Sequence, residues 1–362
     1  MAKLALSGVG LKGASPLFLC RTVLNSFEMP RRNLMGARER RNVRMLHFAV
    51  SLLACALATG AAAQYPDRPI RLIVPQAAGS ATDTVARILG AELAKELGQQ
   101  IVVDNRPGGA LTIGLDLTAK ADPDGYTICM GPIGALAITR HMVAKLPYDI
   151  ERDLQPVALA TRGHLLLGVS PTLPFKSVAE LIAFAKDNPG KLLNASSSNG
   201  SPGHVGGELF KFMSGTDIVH VPYRGGAAAI NDLIAGRVHL MFESLNSIAP
   251  HARSGAVRAL AVSGTRRSPG FPDLPTVAEA GVPGYAAPTW SGVIAPAAVP
   301  RPIIDRLNAA INKAVQSSTF RDSFAVIGDE PAGGTPEEFA ELIRADSAKW
   351  GEVVRRSGAR LD

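Results

Sequence analysis

The sequence predicts an α/β protein of two lobes around a ligand cleft, and three observations carry that expectation. Short apolar, β-branched runs alternate with helix-length amphipathic stretches, the rhythm of right-handed βαβ units in a doubly wound sheet. The alternation comes in two series, one opening near Ile70 and one near Leu165. Each series presents small-residue loops just past strand ends, where sheets of this kind take ligands.

The first series opens on Ile70 to Val74, a run with one charge, as expected of a strand covered on both faces. Gln76 to Ala81 contains nothing larger than Gln. Thr82 or Asp83 then suits the cap of a helix whose Val85, Ile88, Leu89, Leu93 and Leu97 fall on one stripe. Free first-turn amides there attract anions, although the same residues also suit an ordinary capped βα turn. Gly98 ends that helix, Ile101-Val102-Val103 reads as a strand, and Asn105 to Gly109 as a tight loop. A helix to about Ala121, a turn at Asp122-Pro123-Asp124-Gly125 and a strand from Tyr126 to Met130 follow. Gly131-Pro132-Ile133-Gly134 then falls at the ligand edge of the sheet.

The second series begins with Leu165 to Val169 and a helix from Val178 to about Lys186, with Ser177 as cap and Glu180 as its partner. Leu192 to His204 rewrites the opening stretch in hydroxyls: a strand, the loop Ser196-Ser197-Ser198-Asn199-Gly200-Ser201, and a helix start. The helix through Leu209, Phe210 and Met213 leads to a strand at Ile218 to Tyr223 and the polar loop Arg224-Gly225-Gly226. Val238 to Phe242, Ala256 to Val262 and Trp290 to Pro296 read as further strands. Two helices close the chain, about Arg301 to Ser317 and Pro336 to Ser357, the last with Thr335 as cap and Pro336 at its first position. No long linker interrupts this order, so lobes of 64–165 plus 289–362 and of 166–288 are expected to be joined by crossovers.

The 362 residues, 46% apolar, suffice for two cores. The net charge of +7 invites a nucleic-acid reading until the charges are located. Residues 1–63 hold nine Lys or Arg and two acids, which is the whole excess, so the remainder is neutral and nucleic acid is not an expected partner. This leader has the parts of a secretory signal: basic Arg38 to Arg44, an apolar core from Leu46 to Ala58, and Ala61-Ala62-Ala63 before Gln64. Export to the periplasm with cleavage after Ala63 is expected. The apolar core is short for a membrane span of about 20 residues. Two other routes stay open: lipidation at Cys55, after Leu52-Leu53-Ala54, and a twin-arginine signal at Arg31-Arg32. Residues 1–44 are superfluous to a secretory signal or lipidation, and translation from Met45 or just upstream would account for them. Gly8 to Gly13 fits G-x-G-x-x-G but follows no strand and opens no helix. Beyond the leader only Cys129 remains, so no internal disulfide forms.

Catalytic candidates are thin. Gly200-Ser201-Pro202-Gly203 lacks the spacing of a nucleophile elbow, and no H-E-x-x-H or C-x-x-C exists, so neither a metal nor a cofactor is expected. Ser201 and His204 stand three apart at a helix start, where they suit a nucleophile and base or, more simply, a cap and a loop histidine. Glu243 ends an apolar strand, placed to orient a ligand or to cap a loop. Export without a catalytic set favours binding over turnover.

Several motifs occur in an order that resembles the exported solute receptors of tripartite tricarboxylate transporters, the Bug or TctC family. They are Ile73 to Asp83, Val103-Asp104-Asn105-Arg106-Pro107-Gly108, Pro123 to Thr127, Leu146-Pro147-Tyr148-Asp149, Gly200-Ser201 with His204, and His220-Val221-Pro222-Tyr223-Arg224-Gly225. Asp273 to Gly281 and Gly333-Gly334-Thr335-Pro336 complete the set, over about 298 residues from Tyr65. The resemblance implies a two-lobed, type II-like periplasmic-binding fold that closes on a small organic acid or related metabolite. It also implies a monomer serving membrane permease subunits. Two rival readings stay open beside it: a sensor protein as the partner, and a hydrolase using Ser201 and His204. The resemblance further implies that Gln76, Ala77, Ala78, Gly79, Ser80 and Thr82, beside Asp83, hold a ligand carboxylate together with Ser198, Asn199, Gly200 and Ser201. Ile133, His204, Tyr223, Arg224 and Glu243 complete the expected site. Gln76 stands where the family usually has an aromatic residue, Ser80 and Ser198 where Gly is usual, and Glu243 where Asp is common, so the ligand's far end is this chain's own. Neither small-residue loop contains Lys or Arg, so the carboxylate is expected to meet amides, with Gly79 and Gly200 leaving room and Arg224 steering from the rim.

Overall fold

A computed structural model describes residues 65–360; the leader and its processing sites lie outside the described residues. The first sheet begins with β1 (Ile70–Val74), whose alternating side chains feed two cores. Ile70, Leu72 and Val74 pack beneath α1 (Ala81–Leu97) and its stripe of Val85, Leu89 and Leu93, while Ile73 faces Leu115 and Cys129 on the other side. Gly98 closes α1 in the left-handed conformation, its amide donating to the Ala94 carbonyl. The helix starts two or three residues earlier than expected: Ser80, not Thr82 or Asp83, is the cap, because its hydroxyl is the acceptor placed to take the Asp83 amide.

Next come β2 (Ile101–Asn105), α2 (Thr112–Ala119) and β3 (Thr127–Pro132), the last running into a π-helical turn at Gly134–Ile138. β4 (Leu154–Gly163) is a ten-residue strand with no counterpart in the sequence reading. Pro156 and Arg162 disguise it, but the side chains from Val157 to Ala160 are fully enclosed between layers.

The second sheet takes β5 (Leu165–Val169), β6 (Leu193–Ser196), β7 (Val219–Pro222), β8 (Leu240–Ser244) and β9 (Arg258–Val262). Its helices are α3 (Val178–Asp187), α4 (Pro202–Ser214), α5 (Gly226–Ile234) and α6 (Leu245–Arg253). Ser177 caps α3 as expected, although Glu180 reaches the Lys176 amide rather than that of Ser177.

The chain then returns to the first sheet as β10 (Thr289–Pro296), followed by α7 (Arg301–Val315), α8 (Ser318–Ile327), the short β11 (Glu330–Pro331) and α9 (Pro336–Ser357). Three helices, not two, thus close the chain, since Ser317 caps α8 where a single helix was expected to end. The Thr335 and Glu338 capping box starts α9 cleanly.

Strand order is β11-β4-β10-β3-β1-β2 in one sheet and β7-β6-β8-β5-β9 in the other. The doubly wound expectation holds only for the parallel halves, β2-β1-β3 and β7-β6-β8. β10 lies antiparallel to β3 and β4, and β5 antiparallel to β8 and β9, because each enters its sheet from the other lobe. Only His164 separates β4 from β5, and buried Ser263 laces the crossing. Its hydroxyl takes the Leu165 amide at 2.8 Å and donates to the Ala287 carbonyl at 2.6 Å. α9 spans both sides: Asp346 accepts the Trp290 indole N–H at 2.6 Å, and Arg356 lies over the Phe212 ring of α4. Among the described residues no helix is long and apolar enough to cross a membrane.

Candidate functional site

A cleft of about 380 Å³ lies where the parallel strands of both sheets end. Gln76, Ala77, residues 79–82, 107–108 and 110–111 and the turn at 132–134 form one wall; residues 197–198, 202–203, 224–227, 243–244 and 246–247 form the other. Thr161, Thr289 to Ser291 and Asp329 form the floor at the crossover.

Nine expected residues line the cleft: Gln76, Ala77, Gly79, Ser80, Thr82 and Ile133 on the first wall, and Ser198, Arg224 and Glu243 on the second. Asp83 instead latches the first loop from behind. Its Oδ2 accepts the Gly79 amide at 2.8 Å and Arg87 Nε at 2.9 Å, and its Oδ1 accepts Asn105 Nδ2 at 2.9 Å. Burial pushes this carboxyl up, but bonds from Arg87, Gly79 and Asn105 outweigh it and hold it below the usual range. Asn105 also donates to the Gln76 carbonyl at 3.0 Å, so the loop is pinned at both ends. With Gly79 and Asp83 amides engaged, the amides of Ala81 and Thr82, both on the wall, have no acceptor among the described residues. They are the first two of a seventeen-residue helix, at the positive end of its dipole.

The second loop is built the other way. The Ser201 amide donates to the Ser198 carbonyl, the Gly200 amide to His204 Nδ1 at 3.1 Å, and the His204 amide to Ser201 Oγ at 3.2 Å. Pro202 has no N–H to offer, so within the first turn of α4 only the Gly203 amide remains at the wall. Asn199, Gly200, Ser201 and His204 therefore stand outside the wall, as does Ala78, which faces solvent. Tyr223 is also elsewhere, its hydroxyl donating to Asp232 at 2.7 Å. Gly200 was expected to admit the ligand; its φ of 74° instead lets the loop fold back on His204.

This arrangement removes the hydrolase reading of Ser201 and His204. The hydroxyl meets the histidine's backbone, not its ring, and the ring stacks on His220 with centroids 3.8 Å apart. Burial and the neighbouring imidazole push His204 down to about 3, and burial pushes His220 down to about 4. His220 Nε2 is 2.7 Å from Ser196 Oγ, but Ser196 is fully buried, beyond any substrate. Among the described residues no group of His, Cys, Asp or Glu is arranged to hold a metal ion.

The sequence reading missed Thr161, Asn246, Thr289, Ser291, Asp329 and the 107–111 loop as cleft residues. Ala110 and Leu111 take positive φ values of 53° and 77°, for which the sequence carries no signal. Asp329 had one available signal, a carboxylate directly after the glycine that ends α8.

The family model described as "Tripartite tricarboxylate transporter family receptor" matches residues 85–359. BugT of Bordetella pertussis is 39% identical over 298 residues, covering 82% of this chain and 91% of that protein. A UPF0065 protein from the tcbD-tcbE intergenic region of Pseudomonas sp. (strain P51) is 40% identical over 291 residues, 80% and 86% of the two chains. Among solved structures, R. palustris Rpa4515 with adipate superposes with a TM-score of 0.78 at 39% identity, over 82% of this chain and all of that one. MatC from Rhodopseudomonas palustris with bound malate gives 0.75 at 33% identity, over 80% of this chain and all of that one. With its two-lobed periplasmic-binding fold, its match from 85 to 359 and these relatives, the chain belongs to the tripartite tricarboxylate transporter family receptors, periplasmic solute-binding proteins and not enzymes.

Proposed function

We propose that this receptor captures a small carboxylate-bearing metabolite by its carboxylate at the start of α1 and delivers it to the membrane permease of a tripartite tricarboxylate-type transporter. The observation that carries the reading is the pair of open amides at Ala81 and Thr82, on a loop without Lys or Arg that Asp83 and Asn105 hold rigid. Amides fixed at a helix start bind an anion without reorganising, at the 2.7–2.9 Å typical of charge-assisted bonds. Ser80 and Ser198 add hydroxyls from the two sides. Arg224, exposed at the rim, steers the anion inward rather than anchoring it. The lobes, divided at about 165 and 288, close over the bound ligand, and the leader directs export with cleavage after Ala63.

Adipate in one relative and malate in another support the ligand class. Ala81→Pro tests the anchor cleanly. Proline suits the first position of a helix, and Ser80 already has the extended conformation that a following proline requires, with φ −74° and ψ 165°. The substitution removes one N–H and leaves the fold. Calorimetry against carboxylates identified by native mass spectrometry of periplasmic protein should show a loss of tenfold or more for Ala81→Pro. Arg224→Gln should lose tenfold or less, about 1.4 kcal/mol. A harmless Ala81→Pro beside an Arg224→Gln that no longer binds would show that a salt bridge carries recognition.

A further inference from the structure

The crossover end of the cleft has the opposite polarity to the amide end. Glu243 is the penultimate residue of β8 and Asn246 lies in the first turn of α6, both on the wall. Asp329 reaches the same region from the turn between α8 and β11. A Cβ on Gly163 would run into Asp329 Oδ1, the adjacent His164 carbonyl accepts the Leu245 amide at 3.2 Å, and a Cβ on Gly328 would touch Leu245 Cδ1 at 3.3 Å. Neighbours of both carboxyls are therefore in direct contact.

The His164 backbone amide donates to the Asp329 carboxyl, but the cluster still has more acceptor atoms than donors. Glu243 is 6% exposed; its Oε1 takes the Ser244 amide at 2.9 Å, and Oε2, beside Gly226, has no hydrogen-bond partner among the described residues. Asp329 Oδ1 and Asn246 Oδ1 are enclosed and likewise unpaired among the described residues. Among the described residues neither carboxylate forms an ion pair, and Arg224 is the one basic side chain against two acids on the cleft lining. Enclosed acceptors without donors are unfavourable, and ionised ones more so.

Resting on the carboxylate-receptor reading, we propose that Glu243, Asn246 and Asp329 form a cation subsite for the ammonium group of an amino-bearing carboxylate, whose other end is held at α1. An ammonium brings three donors and no acceptor, the complement of this cluster. A second carboxylate placed there would meet two acids and only one guanidinium. Burial pushes Glu243 and Asp329 each up to about 7, so a cation entering between them favours their ionised forms and releases protons, whereas a second carboxylate takes protons up. His164 and Glu330 with its ion-pair partner Arg266 stand around Asp329, and Arg224 is the charged group nearest the rim.

Calorimetry of the mature protein decides between these, using ω-amino carboxylates of three to six carbons, dicarboxylates with the same number of methylenes, and unsubstituted carboxylates, each in two buffers of different ionisation enthalpy. The expected result is that one amino carboxylate binds at least tenfold tighter than its dicarboxylate and plain counterparts, with proton release. Glu243→Gln and Asp329→Asn should each lower that preference at least tenfold. Dicarboxylates that bind tighter with proton uptake would overturn the subsite while leaving the receptor reading intact. So would an amino preference that both variants retain. If no member of any series binds, the carboxylate anchor itself fails and the subsite with it. If neither variant folds by circular dichroism, the wild-type ranking and the sign of its proton exchange decide the question by themselves.

Discussion

The loops before α1 and α4 look alike in sequence, each a strand running into small residues and a serine cap, yet they fold to opposite ends. Asp83 supports the first loop from outside the cleft, so the leading amides of α1 face inward unused. His204 supports the second from inside its own helix and consumes the Gly200 amide in doing so, while Pro202 deletes another donor. On the proposed reading, one loop receives the anion and is held rigid by a carboxylate; the other is a wall held rigid by an imidazole. Small residues at a helix start therefore announce close packing, and only the destination of each N–H tells whether a ligand or the protein itself is being approached.

The strongest way to break this contrast is to add a methyl group on each side. A Cβ on Gly203 would overlap the Phe242 backbone carbonyl oxygen, which cannot move without disturbing β8. Gly203→Ala should cost about 3 kcal/mol or more and show as a large fall in the urea midpoint. Gly79→Ala meets nothing within 4 Å and carries only the strain of a φ of 79°, about 1 kcal/mol. Equal losses would mean that both loops are packed alike.

Much of this architecture is legible in the residues. The β1 run, the α1 stripe, Gly98 and the Thr335 cap are local signals, and local chemistry decides them. β4 is not legible, because its identity rests on two long-range partners, β10 and β11, that pair with it from far along the chain. The site divides along the same line. Gln76 to Thr82 follows from the loop's composition, whereas Asn246 and Asp329 enter only because the crossover brings distant segments together. Ser201 and His204 misled for a third reason: their spacing brings them into contact through the backbone, not through the side chains that chemistry needs.

The buried histidines of the second lobe and the two carboxyls at the crossover should also titrate in opposite directions. His204 and His220 have folded values of about 3 and 4, below the ordinary 6.5, so the unfolded chain takes up protons first and stability falls as pH drops from 6.5. Lys211, the charged group acting on both rings, adds to their depression. Glu243 and Asp329, raised to about 7, behave in reverse: the folded state takes up their protons first, and stability is regained from 7 down toward the ordinary carboxylate range. These two pairs should therefore nearly cancel between pH 7 and 5, leaving in the native protein the falls from His141, His164 and His239, which burial also holds below the ordinary value. Glu243→Gln with Asp329→Asn removes one side of the balance, and the double variant should lose stability on acidification, approaching about 1.4 kcal/mol per pH unit for each uncompensated proton. Thermal midpoints across that range check the slope. A double variant with the same slope as the native protein would mean that the imidazoles do not stay neutral.

The smallest expected effect separates structure from recognition at the two caps. Ser80 Oγ accepts the Asp83 amide at 3.3 Å and Ser201 Oγ accepts the His204 amide at 3.2 Å, so each satisfies the third amide of its helix in the same way. Replacing either by alanine should cost about 1 kcal/mol, near 2 °C in the thermal midpoint of a body this size. Stability alone thus cannot tell them apart. Ser80 faces the cleft and Ser201 does not, so ligand affinity should fall several-fold in Ser80→Ala and stay constant in Ser201→Ala. Freeing the Asp83 amide also loosens the loop that presents Ala81 and Thr82, which adds to the loss at Ser80 and has no equivalent at Ser201. If Ser201→Ala weakened binding as much as Ser80→Ala, the second loop would have to open during capture, and the difference between the two helix starts would belong to the empty protein alone.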